Sequence, residues 1–494
     1  MLRRRFLLLP LLTLTGPAFA QAPAPAPVKT KVTNAADLPV HTYTITSKNR
    51  PLAEDPAVVS ALAAAVTKDI TGDLAQYDIT DRGTLSGLYG VLMTTALLQQ
   101  DFEAVRRYSA IIRSLKDKPA DKATSGLFSV ALADALQHPG PDFHQTLKKN
   151  IERAYRQVPF SSIKANLKAQ KSGLDIFTRD LLVRASAEEA GTVPDTGIIS
   201  QKQAVIILAE ALGLCYIIPN KADLLDAYSA VLASGKAVPK ANIWTARDVT
   251  LSNSAKLKPT VVAIWDTGVD ISLYKSQLIS GKPGIAFDEE ARPISALLYP
   301  LPGGAAAATK YIVDTKSISD FQEGIDSPEA AAFKARLAKM TPDQMSDFDN
   351  GVSKYNTYSH GTGVAGIALR GNPAARLLVC RLFSSAPASV AEATRFAAMY
   401  RQSVAYFKTR GVRIVNMSWR IQASSIEPAL EQDGVVRTPA ERRALAKKIY
   451  DIGFQGMSEA IRSAPSILFW QERATKTRTC CLIPVTPPGS RPLI

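Results

Sequence analysis

Asp266 closes an apolar run, VVAIWDTGVD, whose residue types predict a buried strand followed by an Asp-Thr-Gly turn. The carboxyl ends of parallel strands are where open α/β sheets place their ligands and catalytic groups. Taken by itself, an aspartate that only caps a turn is an equally good interpretation. Aspartic proteases also use Asp-Thr-Gly, but in them two such carboxylates share one proton. Asp266 is therefore a candidate catalytic carboxylate whose significance depends on a partner elsewhere in the chain.

His360 is the candidate partner. It lies in the segment SHGTGVAGIA, which predicts a helix from Gly361 with the imidazole at its N-terminal end. Small residues in such a first turn let a helix pack closely and leave the ring exposed at one end. A single histidine is more often structural than catalytic. The other histidines, His41, His138 and His144, lie in the N-terminal region without comparable surroundings.

Short apolar runs alternate with helical segments after Pro259. Continuous apolar strands separated by amphipathic helices predict a parallel α/β sheet covered on both faces. The helix at Thr438 also has a start signal, because Pro439 suits the first helical position and Glu441 completes a capping box. The predicted strands are residues 261–265, 377–382, 412–417 and 467–469, and the predicted helices begin at Gly361, Ala388 and Thr438.

The motifs around Asp266 and His360 resemble those of the subtilisin-like serine peptidases, in that family's order of Asp before His before Ser. The run VRIVNMSW is similar to the family strand that lines the substrate cleft, and the resemblance covers residues 255–469. It implies that His360 is general base and then general acid, and that Asp266 orients the imidazole. It implies polypeptide substrates and assigns four residues to the cleft, namely Asn416, Met417, Ser418 and Trp419. Calcium is known in the family, but no ligands for it are assignable here.

The sequence also departs from that family. Asp266 and His360 are separated by 94 positions, and the insertion contains SPEAAAFKARLAKMTPDQMSDFDNG, which predicts a helix or two at the cleft edge. Trp419 and Arg420 stand where smaller residues are usual, so subsite preference does not transfer. The N-terminal region does not resemble the family's small α+β propeptide.

In that family, an Ala-Ala-Gly-Asn motif supplies the side chain of the oxyanion hole, and a later Gly-Thr-Ser-Met-Ala motif supplies the nucleophilic serine. Residues 470–494 contain neither motif. Ser418 is expected inside a strand, and Ser458 and Ser490 lack a supporting motif. With suitable synonymous codons, the tail read from the third base begins Ala-Gly-Ala-Gly-Asn. We therefore expect a reading-frame shift after Phe469, an inactive product and an exposed apolar sheet edge at 467–469. The alternative is a genuine end with an unrelated tail.

The N-terminus predicts an export signal in residues 1–20, with three arginines at 3–5, a short apolar stretch and Ala18-Phe19-Ala20 as a cleavage site. The apolar stretch is too short to span a membrane. We expect export by the Sec or the twin-arginine route to the periplasm or the medium of a bacterium. Residues 21–54 are expected to be an extended linker.

Residues 55–250 predict a mostly helical domain, either a plain packing domain or a tetratricopeptide-like array that binds a protein partner. The chain has a net charge of +15 without a basic run or aromatic ladder, which argues against nucleic acid. Cys215, Cys380, Cys480 and Cys481 predict neither disulfides nor a metal site, and no cofactor is evident. Two other functions stay open, a non-catalytic binding module built on the helical domain and an esterase-like hydrolase, although the latter would need a Gly-x-Ser-x-Gly elbow that the chain lacks.

Overall fold

The computed structural model describes residues 29–471, apart from 33–37, 48–50, 139, 191–195, 237–241, 244, 247, 253–255, 302, 338, 383–385, 420, 422 and 433–438. The expected signal peptide at 1–20, the start of the linker and most of the 470–494 tail lie outside the described residues. Their assignments stay predictions.

The N-terminal region is mostly helical, as its periodicity predicted. Two short strand pairs join its segments, parallel β1 with β3 and antiparallel β2 with β4. A π-helical turn, Gly213–Ile217, follows α9. In chain order the elements are β1 (Thr30–Val32), β2 (Thr42–Thr44), α1 (Pro56–Gln76), β3 (Tyr77–Ile79), α2 (Arg82–Leu98), α3 (Phe102–Ser114), α4 (Pro119–Thr124), α5 (Leu127–Leu136), α6 (Phe143–Arg156), α7 (Phe160–Ile176), α8 (Arg179–Ala190), β4 (Ile198–Ser200), α9 (Gln201–Leu212) and α10 (Lys221–Ser234).

Side-chain caps explain where several of these helices begin. The Asp81 carboxylate accepts from the Thr84 amide at the start of α2, and the Asp101 carboxylate accepts from the Ala104 amide at the start of α3. Ser200 and Gln203 form a capping box at α9. The turn between α2 and α3 contains Gln100 in the left-handed region, at φ 58°.

The second part of the chain is an α/β unit around a mixed, mainly parallel sheet. Its strand order is β10-β9-β5-β8-β6-β7, and β7 alone among these described strands runs antiparallel to its neighbour. The elements are β5 (Thr260–Asp266), β6 (Gly284–Phe287), β7 (Pro293–Ile294), α11 (Gly304–Gln322), α12 (Pro328–Leu337), α13 (Pro342–Leu369), β8 (Ala375–Arg381), α14 (Val390–Thr409), β9 (Val412–Met417), α15 (Ala423–Gln432), α16 (Pro439–Arg462) and β10 (Leu468–Gln471).

Helices cover both faces of the sheet, which confirms the predicted architecture. Trp265 of β5 belongs to the core on the face of α14 and α16, whereas its neighbour Ile264 faces α13. All four predicted strands are present within two residues of their expected bounds. The helix predicted from Ala388 begins at Val390 and is capped by Ser389. Helix α16 begins at Pro439, and its expected cap Thr438 lies outside the described residues.

The prediction that a helix begins at Gly361, with His360 at its N-terminal end, is wrong. Helix α13 begins at Pro342 and passes through His360 without a break. Thr341 and Gln344 form a capping box there, and the helix ends at Leu369, just before Gly371 at a φ of +69°. The glycines near His360 are therefore mid-helix residues, and Gly361 among them packs directly against Gly268.

The insertion between Asp266 and His360 forms α11, α12 and the first half of α13, in agreement with the helices predicted there. These helices share an apolar core of Ile318, Phe321, Ala330, Phe333, Met345, Phe348 and Val352. Arg336 of α12 pairs with Asp314 of α11 at 2.7 Å and lies over the ring of Phe348 in α13, so the three helices are also joined by polar contacts.

The edge strand β10 exposes Leu468 and Trp470, at 60% and 66% of their surface, while Ile467 is buried. The exposed apolar surface expected at this edge is thus formed by Leu468 and Trp470, because every second side chain of a strand points to the same face. Among the described helices, none is long and apolar enough to cross a membrane alone, and α9 with its π-helical turn and α10 meet that test only as a pair bent by 77°.

Candidate active site

Asp266 and His360 meet at the carboxyl end of β5. The His360 Nδ1 lies 2.7 Å from the Asp266 Oδ1, the distance of an N–H donating to a carboxylate. Asp266 is buried, at 2% exposure of its side chain, whereas the His360 side chain is 46% exposed. The buried aspartate therefore accepts a hydrogen bond from one ring nitrogen, while the rest of the ring remains accessible to solvent.

The turn after Asp266 fixes the orientation of its carboxylate. The Thr267 amide donates to the Asp266 Oδ1 at 2.7 Å, and the Thr267 hydroxyl lies 3.2 Å from the same oxygen. The Asp266 Oδ2 is buried without a hydrogen-bond partner among the described residues. The donors thus converge on the single oxygen that also contacts His360.

Two glycines allow the turn to touch helix α13. The Gly361 amide donates to the Thr267 hydroxyl at 3.3 Å. A Cβ on Gly361 would overlap the Gly268 carbonyl oxygen and lie 3.2 Å from the Asp266 Oδ1. Gly268 has a φ of +114°, which L side chains rarely adopt. The turn formed by Asp-Thr-Gly therefore packs directly against helix α13 at His360-Gly361.

Tyr274 and Thr362 extend this contact, and no motif in the sequence would have found Tyr274. The Asp270 amide donates to the Thr362 hydroxyl at 2.9 Å. The Tyr274 hydroxyl donates to the Thr362 carbonyl at 2.8 Å. Burial, and less strongly the Asp270 charge, raise the pKa of Tyr274, so the phenol remains a donor. These bonds fix the turn of α13 that follows His360.

The four residues assigned to the substrate cleft divide into two pairs. Met417 and Trp419 are buried in the core, and the Trp419 Nε1 donates to the Trp265 carbonyl at 2.6 Å. Asn416 and Ser418 are partly exposed, and the Asn416 amide nitrogen donates to the Ser418 hydroxyl at 2.9 Å. Ser418 follows β9 rather than lying inside a strand, which corrects that expectation. A cleft role stays a prediction for Asn416 and Ser418.

Two other histidines also contact carboxylates. His41 lies 2.9 Å from Asp73, and His144 lies 2.7 Å from Asp223. Both aspartates are helical residues of the N-terminal region rather than residues at the end of a sheet strand. A His–Asp distance is therefore not distinctive by itself, and the elements that carry the pair are what set His360 apart.

The sequence Asp-Thr-Gly occurs a second time, at residues 195–197. Asp195 lies outside the described residues. Gly197 precedes β4 in the N-terminal region, with a φ of +70°, and its carbonyl accepts from the Ile45 amide at 2.8 Å. This copy leads into a short strand paired with β2 and does not end a strand of the main sheet. The two copies thus belong to different sheets.

Metal and thiol chemistry have few candidate residues in the described part of the chain. No group of three or more His, Cys, Asp or Glu side chains is arranged there to hold a metal ion, so we assign no calcium ligands. Cys380 is buried in the sheet core, and burial raises the pKa of its thiol to about 12. Cys215 is exposed, and Cys480 and Cys481 lie outside the described residues.

The two residues of the site lie in a part of the chain that matches a known protein family. Residues 258–462 match the Subtilase family, and this range contains both Asp266 and His360. Searches of curated proteins and of solved structures found no match to the chain. The chain thus carries a subtilase-family domain from β5 to α16, preceded by a mostly helical region.

Proposed function

We propose that the subtilase-family domain supplies the acid–base half of a serine endopeptidase active site that acts on polypeptides. The observation that carries this proposal is the 2.7 Å contact between the His360 Nδ1 and the Asp266 Oδ1, inside the matched range. The buried carboxylate and exposed imidazole suit a base that must meet substrate from solvent.

In the proposed mechanism, His360 takes the proton from a serine hydroxyl as that oxygen attacks the scissile carbonyl. It then gives the proton to the leaving amine. Asp266 stays ionised, holds the imidazole in the tautomer with its proton on Nδ1 and stabilises the imidazolium that forms. The two Thr267 contacts to the Asp266 Oδ1 keep that carboxylate oriented throughout.

The nucleophile and the oxyanion donor are proposed to be encoded after Phe469 in a shifted reading frame. Residues 470–494 contain no Gly-Thr-Ser, and the Ser418 hydroxyl is already bonded to Asn416. A missing nucleophile lowers turnover about a million-fold, the loss measured in subtilisin itself. A missing oxyanion donor typically costs a further 10²–10³-fold. A polypeptide that lacks both groups is therefore expected not to hydrolyse peptides.

Sequencing the encoding DNA from the codon of Ser463 past that of Ile494 tests this part of the proposal. A single inserted or deleted base, followed by an open frame for Gly-Asn and then Gly-Thr-Ser, would support it. A confirmed tail and stop codon would contradict the frame shift and favour the binding-module alternative. In that case a fluorophosphonate probe should leave the protein unlabelled.

We also propose that the protein is exported and cleaved after Ala20. The proposal rests on the arginines, the short apolar stretch and the Ala-x-Ala site of residues 1–20, all outside the described structure. N-terminal sequencing of the mature protein should begin at Gln21. A protein that keeps Met1 would contradict the proposal.

A further inference from the structure

The insertion that precedes His360 packs against the N-terminal helical region. Ile176, the last residue of α7, contacts the apolar core that α11, α12 and α13 share. In the same place the Lys334 ammonium of α12 donates to the Asp175 carboxylate of α7. The Lys168 ammonium donates to the Asp326 carboxylate at 2.9 Å. The insertion is therefore docked by apolar and ionic contacts together.

The end of α7 that receives the insertion is itself fixed. The Lys221 ammonium of α10 donates to the backbone carbonyls of Asp175 at 2.8 Å and Phe177 at 3.0 Å. These bonds satisfy carbonyls at the helix C-terminus, where a cation is also favoured. The C-terminal end of α7, on which the insertion packs, is thus also bonded to α10 of the N-terminal region.

Gly324, in the turn between α11 and α12, lies directly against the backbone of α7. Its φ is +63°, and a Cβ there would lie 2.5 Å from the Lys168 carbonyl carbon and 2.7 Å from the Ala169 nitrogen. Backbone atoms of a helix cannot rotate away, so a side chain at 324 would force the insertion off α7. Gly304, also in the insertion and at a φ of +59°, has no atom within 4 Å of the place a Cβ would occupy and offers a matched control.

The other end of α13 is held by the segment that leads from the helical region into the sheet. Arg370 pairs with Asp248, and the Leu251 amide donates to the Gly371 carbonyl at 2.7 Å. Gly371 has a φ of +69°, and a Cβ there would overlap the Val249 carbonyl oxygen. His360 thus lies on one uninterrupted helix, whose first half packs on the docked α11 and α12 and whose C-terminal end is contacted directly by residues 248–251.

We propose that the N-terminal helical region is a positioning scaffold for His360, which holds α13 at both ends and so sets the imidazole against Asp266. This inference rests on the proposed catalytic role of His360. A helix advances about 100° and about 1.5 Å per residue, so a small rotation or slide of α13 breaks the 2.7 Å contact. A misplacement of about 1 Å at a catalytic group can reduce rate about 100-fold. Gly324, Asp175 and Lys334 are accordingly positioning residues.

The first test compares Gly324→Ala with Gly304→Ala in the full chain. The readouts are hydrogen exchange of α13 and the low-field proton resonance of the His360 Nδ1–H, assigned by its loss in His360→Ala. Both variants strain a left-handed residue, but only the first collides with α7. We expect Gly324→Ala to weaken the resonance and to accelerate exchange around His360 at least tenfold, with Gly304→Ala like the wild type. If Gly324→Ala accelerates exchange only near residues 320–328, the proposal is overturned.

A second test keeps the backbone unchanged. Lys334→Glu places two carboxylates together, and adding Asp175→Lys restores one opposite-charge pair. The single variant should lose the resonance and, in protein made from a frame-restored gene, at least tenfold in kcat/KM, and the double variant should recover most of both. No recovery in the double variant would contradict the scaffold. If the resonance responds as expected but the frame-restored protein cleaves no peptide, the scaffold stands and the peptidase proposal fails.

Discussion

Gly361 lies directly against the carbonyl oxygen of Gly268, so the helix that bears His360 touches the turn that follows Asp266 with no room for a methyl group. This contact fixes the distance between the two candidate catalytic side chains. Any side chain at Gly361 has to push α13 away from β5, and the His360–Asp266 hydrogen bond is expected to lengthen with it.

Gly361→Ala should therefore destabilise the fold by about 1–3 kcal/mol, the usual cost of inserting volume into a packed contact. It should also remove the low-field His360 resonance. Gly363→Ala is the control, because nothing lies within 4 Å of a Cβ there and alanine favours a helix by about 1 kcal/mol over glycine. Urea unfolding and proton NMR measure both effects. Equal stability of the two variants would refute the close contact.

Glu210 should make stability depend on pH near neutrality. Burial, and less strongly the Glu54 charge, raise the pKa of Glu210 from 4.5 to about 7, against the lowering effect of Arg179. The folded state then favours the protonated acid, so its contribution is complete below about pH 4.5 and is lost as pH rises through 7. The full loss corresponds to about 3 kcal/mol.

Glu210→Gln should remove this dependence, with unfolding free energies similar to the wild type at pH 4 and higher at pH 8. Glu103→Gln is the control, since that side chain is 80% exposed. Denaturant unfolding at a series of pH values gives the comparison. A Glu210→Gln protein that loses stability between pH 5 and 8 as steeply as the wild type would show that Glu210 is not the group responsible.

The β10 edge should promote self-association, because Leu468 and Trp470 expose apolar surface on the strand that lies at the edge of the sheet as far as the structure describes it. Replacing them by Lys and Glu, respectively, should lower the associated fraction several-fold in sedimentation velocity. Leu273→Lys removes an equally exposed leucine, at 66%, that lies outside the strands. Equal effects of the edge and control substitutions would mean that general hydrophobicity, not the strand edge, drives association.

The sheet could be predicted from sequence because its strands are continuous apolar runs, and β9 begins and ends where its run does. The start of α13 has the same kind of signal as the helix at Thr438, namely a Thr341–Gln344 capping box, but no local pattern shows that this helix continues through His360. The orientation of Trp419 was also hidden, since it depends on a carbonyl 154 positions earlier. Likewise, Tyr274 acts on Thr362 across 88 positions, and no local pattern reports such a contact.

The pairing of Asp266 with His360 could be predicted because each lies in a motif of restricted composition, although His360 lies within α13 rather than at the expected helix start. The docking of the insertion on α7 could not be predicted, because neither Gly324 nor Lys168 lies in a recognisable motif. Their contact exists only in the folded chain. Long-range contacts of this kind decide how the histidine is held, and they leave no periodic trace in the sequence.

Casein hydrolysis by protein made from the frame-restored gene tests most directly whether His360 is the base of a serine peptidase. His144→Ala is the matched control, because His144 contacts Asp223 at the same 2.7 Å distance outside the site. We predict that His360→Ala loses at least about 10⁴-fold in kcat while His144→Ala keeps wild-type turnover. Wild-type turnover in His360→Ala would contradict the claim.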